Sequence, residues 1–94
     1  MKTIWKYEIN KVVQELEIPF GAKFLHVGNQ NGHICLWFEV ESENKKETRR
    51  FEIAGTGKAQ LDIDKKYLGS MIFHNHAFVW HIYEITEYVG KELD

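Results

Sequence analysis

Apolar and polar residues alternate with a period of two along most of this chain. In residues 3–9, TIWKYEI, the side chains of Trp5, Tyr7 and Ile9 fall on one face and those of Lys6 and Glu8 on the other, the pattern of a half-buried strand. VQELEI at 13–18 repeats it, Leu16 and Ile18 against Glu15 and Glu17, so the first two segments are expected to pair as a hairpin. Pro19-Phe20-Gly21 closes the second, because proline cannot donate to a ladder and glycine permits the turn. AKFLHV at 22–27 and HICLWFEVE at 33–41 flank GNQNGH, in which Asn31-Gly32 predicts a tight hairpin turn. SENKKET at 42–48 has the composition of a solvated loop, and RRFEIAG at 49–55 resumes a strand. KAQLDIDKK, from Lys58 on, is polar and poorly periodic, which predicts a connecting loop. YLGSMIFH at 67–74 and AFVWHIYEIT at 77–86 form the last pair, turning at Asn75-His76, and the tail from Glu87 to Asp94 is expected to be one short helical turn or frayed.

No segment carries a 3.6-residue apolar stripe and none repeats another. The expected fold class is all-β: one domain over residues 1–94, a small, mostly antiparallel sandwich or barrel of seven or eight short strands. Two strands are apolar on both faces. Ile34, Leu36, Phe38 and Val40 are backed by Cys35 and Trp37, while Phe78, Trp80 and Ile82 are backed by Val79, His81, Tyr83 and Ile85. A single-core sheet needs one apolar face, so the second is expected to meet another sheet, a partner subunit or a ligand. Sandwich packing together with homo-oligomerisation accounts for it most simply.

Composition sharpens this picture. A chain of 94 residues is one domain and buries only about 60–65% of its unfolded surface, which leaves a thin stability margin. Cys35 is its one cysteine, so no intrachain disulfide reinforces it, and a lone cysteine in an apolar run suits a reducing compartment. Self-association is the remaining common reinforcement, and three tryptophans, four tyrosines and six phenylalanines provide enough apolar surface for a core and an interface. A net charge of −2 argues against a dedicated duplex-DNA binder. No apolar run reaches membrane-spanning length and no leader opens the chain, so a cytoplasmic protein without membrane partners is expected.

The stretch FEIAGTGKAQLD raises the possibility of a phosphate loop. A P-loop needs G-x-x-x-x-G-K-[ST] opening a helix; here Gly55 and Gly57 stand too close, Ala59 follows Lys58, and AQLDID does not start a helix. A dinucleotide fingerprint lacks its third glycine and its βαβ unit. Two readings remain: a strand-end turn that needs a glycine at positive φ, or a small anion nest with Thr56 and Lys58 beside it. Of the histidines His26, His33, His74, His76 and His81, the pair His74-x-His76 at a turn could face one way, but zinc needs three or four ligands and Cys35 would have to join from another strand. No C-x-x-C, H-E-x-x-H or His-carboxylate cluster is present; His26 and His81, each within an apolar strand, suit hydrogen-bonded core or interface positions. No metal or other cofactor is expected. Cys35 with His81 is a poor nucleophile–base pair, because Ile34 and Leu36 would raise the thiol pKa. Arg49 and Arg50 face opposite sides of one strand; either could clamp a phosphate, and pairing with glutamates is the simpler reading.

The blocks TIWKYEI, PFGAKFLHV, QNGHICLWFEV, TRRFEIAGTG, KYLGSMIF and HAFVWHIYEI resemble a family of small uncharacterised bacteriophage and prophage proteins, in order and spacing, from Lys2 to Ile85. In that family the turn usually continues Gly-Thr-Gly-His-Pro; Lys58 and Ala59 stand here instead, so no role carries over from that histidine. The resemblance implies a small accessory protein made in a bacterial cytoplasm. Phage proteins of this size capture nucleotide signals of host immunity, block host proteins by surface contact, or serve in the particle. The expected function is therefore non-enzymatic sequestration of a small anionic, nucleotide-type ligand by a homo-oligomer. Arg50, Thr56, Gly57 and Lys58 would contact phosphate, and Trp37, Trp80, His81 and Tyr83 would stack on the base. The alternative is a protein-interaction module that inhibits or recruits a host protein through its aromatic face.

Overall fold

The computed structural model describes residues 1–73 and 78–87. They form seven strands: β1 (Lys2–Ile9), β2 (Val13–Pro19), β3 (Lys23–Gln30), β4 (His33–Glu41), β5 (Lys46–Gly55), β6 (Lys65–Phe73) and β7 (Phe78–Ile85). Two antiparallel sheets result, one of order β1-β4-β3 and one of order β2-β5-β7-β6. The expected sandwich is what forms; the sheets do not close into a barrel. The tail beyond Glu87 and the Asn75-His76 turn lie outside the described residues.

The expected β1–β2 hairpin does not form. β1 pairs with β4, Trp5 opposite Phe38, and β2 pairs with β5, Leu16 opposite Arg49. Residues 10–12 carry the chain from one sheet to the other, and Val12 O accepts from Ile53 N at 2.8 Å. Alternation fixes which face of a strand is buried but not which strand lies beside it. The 42–48 segment is also more ordered than its composition predicts. β5 begins at Lys46, with Lys46 and Glu47 opposite Pro19 and Ile18. Lys46 and Thr48 point to solvent there, so their polarity costs the strand nothing. Similarly, β6 starts at Lys65, inside the predicted loop. Pro19, at the end of edge strand β2, sits where a missing N–H is tolerated. Asn31 (φ 55°) and Gly32 (φ 82°) make the anticipated turn between β3 and β4, both central residues having positive φ.

The core lies between the sheets, and Phe38 is its hub. Tyr7 from β1, Phe24 from β3 and, across the sandwich, Phe51 from β5 meet its ring edge-on at centroid distances of 5.8, 5.7 and 6.1 Å. Ile18, Leu36 and Ile82 are fully buried around it. Arg49, on the inner face of β5, sits with its guanidinium 5.1 Å from the Phe38 centroid. It grips Glu84 with two bonds of 2.7 and 2.9 Å and donates to Ala22 O at 2.8 Å. The Glu84 carboxylate bonded to it raises the Arg49 pKa, keeping the cation charged. At one side of the sandwich the edge strands β3 and β6 touch: a Cβ on Gly69 would stand 2.5 Å from Val27 Cγ1.

Each sheet thus also has an outer face. That of the four-stranded sheet carries Arg50, Glu52 and Ala54 from β5, His81 and Tyr83 from β7, and Tyr67 and Ser70 from β6. Residues 56–64 cross part of this face on the way from β5 to β6.

Candidate functional site

The Gly55–Lys58 stretch is a tight turn. Lys58 N donates to Gly55 O at 3.0 Å, and Gly57, the third residue, has φ +80°, the signature of a type II turn that favours glycine at that position. The turn is no P-loop, and only part of an anion nest. Thr56 N is taken by Val79 O at 3.1 Å and Lys58 N by Gly55 O, so of these three N–H groups only that of Gly57 lacks an acceptor among the described residues. Gly55 has a different reason to be glycine. A Cβ there would stand 3.1 Å from Trp80 Cζ3 and 3.2 Å from Lys58 Cγ, so the indole edge and the lysine stem both crowd it.

The turn rims a depression of 260 Å³ that Thr56, Gly57, Lys58, Gln60, His81 and Tyr83 line together. Among the described residues, Lys58 is the one cation that lines it and no carboxylate does. His81 forms its wall and is bonded through both ring nitrogens. Nε2 lies 2.8 Å from Thr56 Oγ1 and Nδ1 lies 2.7 Å from Ser70 Oγ, which in turn is hydrogen-bonded to Tyr67 Oη. A hydroxyl can donate or accept, so either neutral tautomer of His81 satisfies the whole row. No carboxylate bonds His81 among the described residues.

A buried ion pair fixes the loop beyond the turn. Lys65 Nζ lies 2.6 Å from Glu52 Oε1, and Glu52 Oε2 accepts from Leu61 N at 2.8 Å. Lys65 Nζ also donates to Leu61 O at 2.7 Å and stands 4.6 Å from the Tyr83 ring centroid. Residues 56–64 are thereby tied to the sheet at Leu61, which places Lys58 and Gln60 beside His81.

Thr56, Gly57, Lys58, His81 and Tyr83 thus come together as the sequence suggested; Arg50, Trp37 and Trp80 do not join them. Arg50 lies on the same face but is held by Glu15 at 3.0 Å. Trp37 is on the outer face of the other sheet, 5.8 Å from the His26 ring, and Trp80 faces the interior. Tyr83 is covered in part by Lys65 and by the edge of Tyr67, whose ring lies 5.5 Å away. Tyr67, 54% exposed, is the better platform for a planar ligand. Sequence reasoning missed Tyr67 and Ser70 because three positions apart on a regular strand are opposite faces. The irregularity between Tyr67 and Gly69 places both on the outer face, and Gly69 inside a strand was the available hint.

The chain belongs to a family described as a domain of unknown function (DUF7352), whose sequence model matches residues 1–91. No curated protein and no solved structure matches it.

Proposed function

We propose that this protein binds and sequesters a small anionic ligand of nucleotide type, without transforming it, in the depression beside the Gly55–Lys58 turn. The observation that carries the reading is a cation, Lys58, with no ion-pair partner among the described residues, in a hollow that none of the described carboxylates lines and that Thr56, Gly57 and Gln60 share. A phosphoryl group would meet the Lys58 ammonium, the Gly57 N–H and the Gln60 amide, and the attached planar base would lie over Tyr67. The hollow is smaller than the 300–1,000 Å³ typical of sites that enclose a whole ligand, so it holds the anionic part and leaves the rest on the sheet face. In this reading a second copy of the chain covers the exposed Ile72, and the setting is the bacterial cytoplasm that the resemblance to phage proteins implies.

Calorimetric titration with nucleoside monophosphates, cyclic dinucleotides and pyrophosphate tests it. Uptake that falls at least about ten-fold in Lys58→Ala, while Arg50→Ala retains it, supports the reading; the ten-fold corresponds to one charge-assisted hydrogen bond. No uptake by the wild type, or equal uptake by Lys58→Ala, contradicts it. The second reading, a protein-interaction module, draws on Ile4 and Leu25, 58% and 41% exposed, which border a shallow hollow with Lys2 and Glu39 on the other sheet.

A further inference from the structure

A second cavity opens at one end of the sandwich, between the sheets, and it differs in character from the turn site. Its volume is 360 Å³, within the range of small-molecule sites. Ile9 and Ile34 line it from one sheet, and Ile53, Phe73 and Trp80 from the other. Ile9, Ile34 and Ile53 are 3%, 8% and 9% exposed, so the cleft ends on the core itself. Water in such a place finds few polar partners, and an apolar group that displaces it gains affinity.

The mouth is polar and cationic. Asn10 and Lys11, on the β1–β2 connection, stand there with His33 at the start of β4. Among the described residues, no carboxylate lines the cleft and Lys11 has no ion-pair partner. Glu8, the acid at this end of β1, is engaged by His33 Nδ1 at 2.9 Å. An apolar floor beneath an unpaired ammonium is complementary to a molecule with a hydrocarbon body and an anionic head.

We infer that this cleft is a binding site for a small amphipathic carboxylate, a medium-length alkyl acid, whose chain lies against Ile34, Ile53 and Trp80 and whose carboxylate meets Lys11. The site is independent of the turn depression. The two lie on opposite sides of the four-stranded sheet, and Trp80 faces this one.

The test uses the full chain and a series of straight-chain acids, hexanoate to decanoate, with 1-octanol as the neutral control. Binding is followed by the backbone amides of Ile34 and Ile53 and the indole N–H of Trp80 in heteronuclear NMR. The expected result is saturable binding of one equivalent, tightening by about four-fold for each methylene added until the cleft is full. Lys11→Ala, at an exposed turn position that leaves the fold intact, weakens octanoate by up to about five-fold and leaves 1-octanol unchanged. Three results would overturn the inference: no saturable shift at these groups, shifts confined to residues 56–60, or an equal effect of Lys11→Ala on acid and alcohol. Because the shifts are read at the cleft, loss of nucleotide binding at the turn leaves this outcome unaffected.

Discussion

Lys65 Nζ and Glu52 Oε1 are 2.6 Å apart on the outer face of the four-stranded sheet, with side chains 10% and 2% exposed, and the same carboxylate holds Leu61 N. One buried charge pair therefore ties the 56–64 segment to the sheet. Glu52→Ala leaves the Lys65 ammonium without its counter-charge, with Leu61 O as its remaining acceptor, and the Leu61 N–H without its acceptor; a loss of about 3–5 kcal/mol is expected. The double variant Glu52→Ala/Lys65→Met removes both charges and recovers much of that loss, because the destabilising element is the unpaired ion rather than the missing bond. Urea unfolding of both variants checks this; losses that simply add would contradict it.

The Phe38 ring receives three aromatic edges and the Arg49 guanidinium. Phe38→Ala should cost about 3–5 kcal/mol, since no neighbour can fill so large a void. Tyr67→Ala, at a half-exposed position outside the core, should stay within about 1 kcal/mol of wild type in the same denaturant titration.

The two glycines of the turn separate by substitution. Gly57→Ala forces a side chain into φ +80° and should destabilise by about 1–2 kcal/mol, with Gly57→Asn milder. Gly55→Ala meets Trp80 and the Lys58 stem instead. Lys58 is exposed and can swing aside, but Trp80 is packed against the core and cannot. Gly55→Ala should therefore cost about 1–3 kcal/mol by overpacking against the indole, and anion uptake falls because the lysine is displaced. Thermal melts beside calorimetric titration distinguish the two patterns.

The Tyr7 hydroxyl is buried without a hydrogen-bond partner among the described residues, and its burial raises the phenol pKa above the ordinary 10.0. The folded chain keeps this proton at a pH where the unfolded chain releases it. The unfolded state thus binds fewer protons, and the contribution to stability, complete below about pH 10, declines as pH rises beyond it. Tyr7→Phe removes an unmade bond, so its urea midpoint at pH 7 should equal or exceed that of wild type. Between about pH 9 and 11 its midpoint should fall less. A clear loss at pH 7 would mean that the hydroxyl has a partner.

The alternation of Trp5, Tyr7 and Ile9, the face of Ile34 to Val40 and the Asn31-Gly32 turn were legible because side-chain period and turn geometry are local properties. The partner of β1 was not, since Lys6 and Glu8 would suit an edge beside β2 as well as one beside β4. Arg49 illustrates the same limit: its acceptor, Glu84, is remote in sequence and comes near only when β7 lies beside β5. In the candidate site, Thr56, Gly57 and Lys58 were visible as a glycine turn after a strand, and His81 and Tyr83 as the second face of another strand. Their proximity depends on Ala54 standing opposite His81, a register that no local pattern encodes. The two tryptophans were misjudged because residue type announces stacking capacity but not direction, and Trp80 points inward.

The most direct test of the proposed anion site is a two-dimensional amide spectrum of the isotope-labelled protein, recorded while adenosine 5′-monophosphate is added. The account predicts saturable shifts at Thr56, Gly57, Lys58, Gln60 and His81, with Gly57 N–H moving downfield as it gains an acceptor, and their loss in Lys58→Ala. A spectrum that does not change, or shifts gathered around His26 and Trp37 on the other sheet, would contradict it.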